Sequence, residues 1–206
     1  MRQVTGKTNL PESGYKVSIQ QSLDGHSFSV PPLPEAADSG EVLEAEIHTA
    51  QTMLVPAEYF TTGGAAELLA AGGMPLQEDQ CVVWSDPSAE VVALMALPRA
   101  VRERLARIPE GRIRYTTPLL TWPDIGGKGV WILRKEHLLY IKVYAESGAL
   151  CLAEVIPASE EADIRYFFER LAALFPLDEY TLYAAGDFPK NLRKEIGHLF
   201  KKTTCA

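Results

Sequence analysis

Two short turns, each setting a glycine between apolar runs, constrain the plan of this chain more than any other feature. In the first, Val17 and Ile19 lead into Leu23-Asp24-Gly25, and Phe28 and Val30 follow. An Asp-Gly pair between such runs signals a hairpin, because glycine accepts positive φ, and it predicts antiparallel strands over 15–22 and 27–31. In the second, the strand-like runs Leu138 to Tyr144 and Ala149 to Ile156 flank Glu146-Ser147-Gly148.

The segments between these turns complete a pattern. Pro31, Pro32 and Pro34 stop the first hairpin, and an acidic stretch runs through Glu41. Leu43, Ala45 and Ile47 then alternate with Glu44, Glu46 and His48, the period of two of a half-exposed strand. Thr52 to Val55 reads as a short strand. Pro56 opens two short helical pieces interrupted at Gly63-Gly64, with Tyr59, Phe60, Leu68 and Leu69 inward. Gln80 to Trp84 and Val91 to Leu97 read as buried strands. After Pro98, Val101, Leu105 and Ile108 recur at helical spacing while Arg99, Arg102, Arg104 and Arg107 fill the remaining circumference. A strand near 112–116 precedes the Gly- and Pro-rich stretch 118–129, the expected connection between two halves.

The second half repeats the plan. Strands are expected at 130–134, 138–144 and 149–156. Ser159 is placed to cap a helix carrying Glu160, Glu161 and Asp163 in its first turn and Ile164, Phe167, Phe168, Leu171 and Leu174 inward. A strand at 180–185 follows, and Pro189 begins a last helix with Leu192, Ile196, Leu199 and Phe200 inward. The division is a mobile lead-in at 1–14, a first half at 15–122 and a second at 123–206.

Composition narrows the functions. With 47% hydrophobic and 23% charged residues in 206, the chain is an ordinary globular protein. A net charge of -7 repels phosphate backbones and anionic lipid, which argues against nucleic acid. Val91 to Leu97, its longest aliphatic run, falls far short of the roughly 20 residues that span a bilayer. Cys81, Cys151 and Cys205 form no C-x-x-C pair, and the N-terminal stretch lacks an apolar signal segment, so a reducing cytoplasm is the expected compartment.

Motifs for chemistry are sparse. Gly6-Lys7-Thr8 and Gly126-Gly127-Lys128-Gly129 each miss residues of a phosphate-binding loop. No G-x-S-x-G elbow occurs. His26, His48, His137 and His198 are too widely spaced to suggest a metal site, and no catalytic residue is assigned. The Ser22 to Ser27 turn could hold a magnesium-bound phosphate, with Asp24 on the hydrated ion and outward backbone N–H groups on the phosphate. Its Asp-Gly pair is equally what a tight hairpin needs for its own geometry. The arginine helix reads as a solvated face, or as a surface for an acidic protein partner.

A β-β-β-α-β-α plan appearing twice resembles the actin-like ATPase superfamily, with its two ribonuclease-H-like halves and mixed sheets. More closely, the chain resembles the bacterial domain-of-unknown-function family 3822. That resemblance is carried by Val17 to Val30, by Leu54-Val55-Pro56-Ala57-Glu58-Tyr59-Phe60, and by the stretch from Leu138-Leu139-Tyr140-Ile141 through Phe167-Phe168 to Ala185-Gly186. It implies an actin-like fold with no established activity. Against the superfamily's phosphate and adenosine motifs, Asp24 and Gly25 are adjacent rather than spaced, the Tyr144 to Gly148 turn offers only Glu146, and Gly186 stands alone before Asp187. These departures weaken the clamps that phosphoryl transfer requires. The expectation is a non-catalytic scaffold or protein-interaction module, similar to the cytoplasmic actin-like domains of type II secretion and pilus-assembly proteins. The alternative is a switch that holds ATP and magnesium between its halves through Asp24, Gly25, Ser27 and Gly186.

Overall fold

A computed structural model of the chain describes residues 14–33, 42–108, 112–186 and 196–205. The Gly6-Lys7-Thr8 motif, Asp187 and most of the expected last helix lie outside them.

The first hairpin forms as its turn predicts. Strands β1 (Gly14–Gln21) and β2 (Phe28–Ser29) run antiparallel around Gly25, whose φ is 74°. The alternating segment becomes β3 (Val42–His48), with Leu43, Ala45 and Ile47 buried. It runs parallel to β1 on the side away from β2, and the later strand β7 (Ile113–Thr116) runs parallel to β3. This gives a sheet of order β2-β1-β3-β7.

Between β3 and β7 the chain builds a second sheet. Its order is β4-β6-β5, from β4 (Thr52–Pro56), β5 (Gln80–Trp84) and β6 (Val91–Pro98), all antiparallel. Its central strand β6 is apolar on both faces because both are covered. Ala93, Met95 and Leu97 pack toward the first sheet and α2 (Arg99–Leu105), while Val92 and Leu94 pack on α1 (Ala65–Ala71). Two short helical pieces do follow Pro56, but Tyr59 points to solvent at 66% exposure rather than inward.

The last sheet has order β10-β9-β8-β11-β12. Here β8 (Gly129–Lys135), β9 (Leu138–Tyr144) and β10 (Leu150–Pro157) run antiparallel in succession. After α3 (Glu161–Leu174), β11 (Thr181–Gly186) returns parallel to β8. Ile164, Phe168 and Leu171 of α3 pack on this sheet, whereas Leu174 is exposed. The helix is capped one residue later than expected: Glu160 is the N-cap, and Asp163 accepts its backbone N–H at 3.0 Å. Directly after Phe200 and Lys201 the chain is extended: Lys202 opens β12 (Lys202–Cys205), which lies parallel to β11, and the threonines at 203 and 204 suit that backbone.

Pro118 and Leu119 are buried, and Leu119 packs with Trp131, Tyr140 and Val155 on the face of the last sheet opposite α3.

Candidate functional site

The first-hairpin turn engages its own polar groups. Asp24 accepts the N–H groups of His26 and Ser27, each at 2.8 Å, and the Ser27 hydroxyl at 2.6 Å. These donors, the hydroxyl first, pull its carboxyl down to about 2. The Ser22 N–H goes to Ser27 O and the Gly25 N–H to Ser22 O. The N–H groups of Ser22, Gly25, His26 and Ser27 thereby go to the hairpin's own acceptors. Gln21 anchors the turn from behind, donating to Gly25 O at 2.6 Å while its own oxygen accepts from Ala50 N–H at 3.0 Å and the Thr49 hydroxyl at 3.3 Å.

The hairpin of the second half that matches β1–β2 is β8–β9, since both open their sheets as antiparallel pairs. Its turn is Glu136-His137, so Glu146 is a misplaced counterpart. Glu146 lies in the β9–β10 turn at the opposite end of β9, where it sits against Gly127. Glu136 takes φ 51°, a conformation usually left to glycine, and so forms a tight turn that sequence pattern does not announce.

This turn meets the end of β1. With its amide nitrogen toward the carboxylate, Gln20 donates to Glu136 at 2.9 Å. Beside it, buried His48 bridges the two sheets. Its Nδ1 lies 3.0 Å from the Tyr140 hydroxyl on β9, and its Nε2 lies 3.0 Å from Glu46 Oε1. Lys16 closes the row at 2.5 Å from Glu46 Oε2 and 3.3 Å from Glu44. The His48 hydrogen bond, with Lys16 beside it, draws the Glu46 carboxyl down to about 2 against the opposing effect of its burial. Burial drives the Tyr140 phenol far above its ordinary value. The crevice among Gln20, Gln21, His48, Glu136, His137 and Leu138 leaves no space for a water molecule.

Gly186 ends β11 beside Arg134, next to the Glu136 turn, so the fold does bring it to the same end of the sheet. It has φ 73°, and a Cβ there would stand 2.8 Å from Leu133 Cδ1. Gly186→Ala is therefore expected to cost roughly 1–3 kcal/mol, read as a lowered urea midpoint. Neither Gly186 nor Asp24, Gly25 or Ser27 lines the crevice between the hairpins.

The arginines of α2 have different neighbours. Arg99 reaches Glu78 O at 3.5 Å, Arg104 reaches Pro31 O at 3.4 Å, and Arg102 turns to a cavity at the edge of β7. Among the described residues no three His, Cys, Asp or Glu side chains gather as a metal site, and no helix is long and apolar enough to cross a membrane.

A further polar group escapes the sequence pattern. Lys142 on β9 is fully buried, donates to Thr121 O at 2.6 Å, and lies 3.9 Å above the Trp122 ring and 5.7 Å from that of Trp131. Loss of water drives its ammonium down to about 7.

Comparison with known proteins bears on the fold. The chain is similar to a crystal structure from Bacteroides thetaiotaomicron described as a protein with actin-like ATPase fold and unknown function. The match has a TM-score of 0.69 and 16% identity over 93% of this chain and 90% of that one. This chain has an actin-like ATPase fold. The cytoplasmic domain of EpsL, an inner membrane component of the type II secretion system of Vibrio cholerae, aligns with a TM-score of 0.41 and 11% identity, covering 93% of this chain and 85% of that one. No family model matches the chain, and no curated protein does.

Proposed function

We propose that this protein is a non-catalytic member of the actin-like fold, of the kind gathered in domain-of-unknown-function family 3822, and serves in the cytoplasm as a scaffold or protein-interaction module. One observation supports the reading: the polar groups of the two first hairpins that a phosphate and magnesium would need are engaged within the protein. The Asp24 carboxylate is spent on its own turn. Glu136 faces Gln20, and His48 bridges to Tyr140 across a crevice without room for water. These residues do not fit a magnesium triphosphate, whose clamps require free donors and a hydrated carboxylate. A net charge of -7 adds an unfavourable background for an anionic ligand.

Titration of ATP with magnesium against the melting temperature tests the proposal. A ligand at 100 times its Kd stabilises by about 2.7 kcal/mol, so binding would be plain in the melt. The expected result is no shift at millimolar nucleotide. Saturable stabilisation that disappears in Asp24→Ala would overturn the proposal in favour of the switch that uses Asp24, Gly25, Ser27 and Gly186.

A further inference from the structure

A cavity of about 570 Å³ opens at the outer edge of β7, between the end of β5 and α2. Its volume falls within the roughly 300–1,000 Å³ of small-molecule sites. It belongs to neither hairpin. Val83, Ile108 and Ile113 give it an apolar wall, and Trp84 and Tyr115 add aromatic rings. Two arginines, Arg102 and Arg114, line the same cavity.

Its electrostatics are unbalanced. Neither the Arg102 nor the Arg114 side chain has a hydrogen bond or ion pair among the described residues, although the Arg114 charge acts on Asp86. The nearby acid, Asp86, is engaged by its own turn, accepting the Ser88 N–H at 2.9 Å and the Ser88 hydroxyl at 2.7 Å. The Arg102 charge is close enough to act on the Tyr115 phenol, and both residues line the cavity. Buried Ser85 accepts the Ala93 N–H at 2.9 Å and keeps a hydroxyl donor of its own at the wall. Among the described residues two cations face one committed carboxylate here, and a concave site of that balance concentrates anions, even on a molecule of negative net charge. The planar guanidinium forks match a carboxylate or sulfonate, and the rings and aliphatic wall match an apolar body.

We propose that this cavity binds a small organic anion, an aromatic or apolar body carrying a single carboxylate or sulfonate. The body lies against Trp84 and Tyr115, and the anionic head lies between Arg102 and Arg114. Arg102 is then part of a ligand site rather than of a protein-docking face.

The test is a fluorescence titration of the full chain with 1-anilinonaphthalene-8-sulfonate, alongside N-phenyl-1-naphthylamine, which has the same rings without the sulfonate. Saturable one-to-one binding of the sulfonate is expected. Arg102→Gln with Arg114→Gln should weaken it by about tenfold or more, the worth of one charge-assisted hydrogen bond, and should leave the uncharged probe within about twofold. Ala106→Trp, which places a bulky side chain at the cavity wall, should abolish both and serves as a second variant if the arginine pair folds poorly. Asp24→Ala should change neither, which keeps this result separate from the nucleotide titration. Non-saturable binding, an arginine pair that binds the sulfonate as the parent does, an equal loss of both probes in that pair, or parental binding by Ala106→Trp would overturn the proposal.

Discussion

Lys142→Met is expected to be more stable than the parent chain at pH 7 and to lose most of the parent's dependence on alkaline pH. Lys142 is fully buried, and among the described residues its charge is answered by the Thr121 carbonyl and the faces of Trp122 and Trp131. Its folded pKa falls from 10.5 to about 7. Between those values the unfolded chain binds more protons than the folded one, so stability rises with pH across the window. Each unit is worth about 1.36 kcal/mol, so the parent should be weaker at pH 7 than at pH 10.5 by on the order of 4 kcal/mol from this group alone. Methionine keeps the straight stem and removes the buried charge. Thr121 is exposed, so its carbonyl can turn to water. A net gain of about 1–3 kcal/mol is expected at pH 7. Urea midpoints of both chains at pH 7, 8.5 and 10 check this. Parallel pH profiles would contradict the assignment.

Glu46→Gln is the second large effect, and it lies at the opposite end of the pH scale. Glu46 sits between His48 and Lys16, and its carboxyl falls from 4.5 to about 2. A depressed carboxylate contributes stability that is complete above the unfolded value and is lost as pH falls through the folded one, here from about 4.5 to about 2. After allowance for solvent screening at its outer side, the contribution is ~2 kcal/mol. The glutamine variant should lose about that much at pH 7 and unfold with a shallower acid limb below pH 5. The loss reaches across the sheets, because Glu46 holds the imidazole that meets Tyr140. Acid unfolding followed by circular dichroism measures both features.

Much of the architecture was legible because it rests on local chemistry. Asp24-Gly25 specified its hairpin, the alternation from Leu43 to His48 specified a strand with one buried face, and Pro98 with the Val101, Leu105 and Ile108 repeat specified α2. Strand direction was not legible. Nothing in the Leu43 to His48 pattern says that β3 lies parallel to β1, since a period of two is the same in either sense. The site was less legible still. Gly148 drew attention to the wrong turn, whereas the matching one places Glu136 at positive φ without a glycine. His48, Tyr140 and Lys142 stand in strands that read as β segments whatever those side chains do, and their partners come from segments up to 92 residues away. Lys142 did leave one sign, a lone charge inside the apolar run Leu138 to Tyr144. In a strand buried along its whole length, such a lysine must find a carbonyl or an aromatic face.

The end of β1 and the Glu136 turn are held together by the protein's own contacts. Amide hydrogen exchange at Gly25 to Ser27 and at Glu136 to Leu138, with and without millimolar ATP and magnesium, tests this most directly. The account predicts that His26 and Ser27, whose N–H groups are bonded to Asp24, are protected without nucleotide and exchange at the same rates with it. Joint slowing of both turns when nucleotide is added would mean that the crevice opens to admit phosphate, and would contradict it.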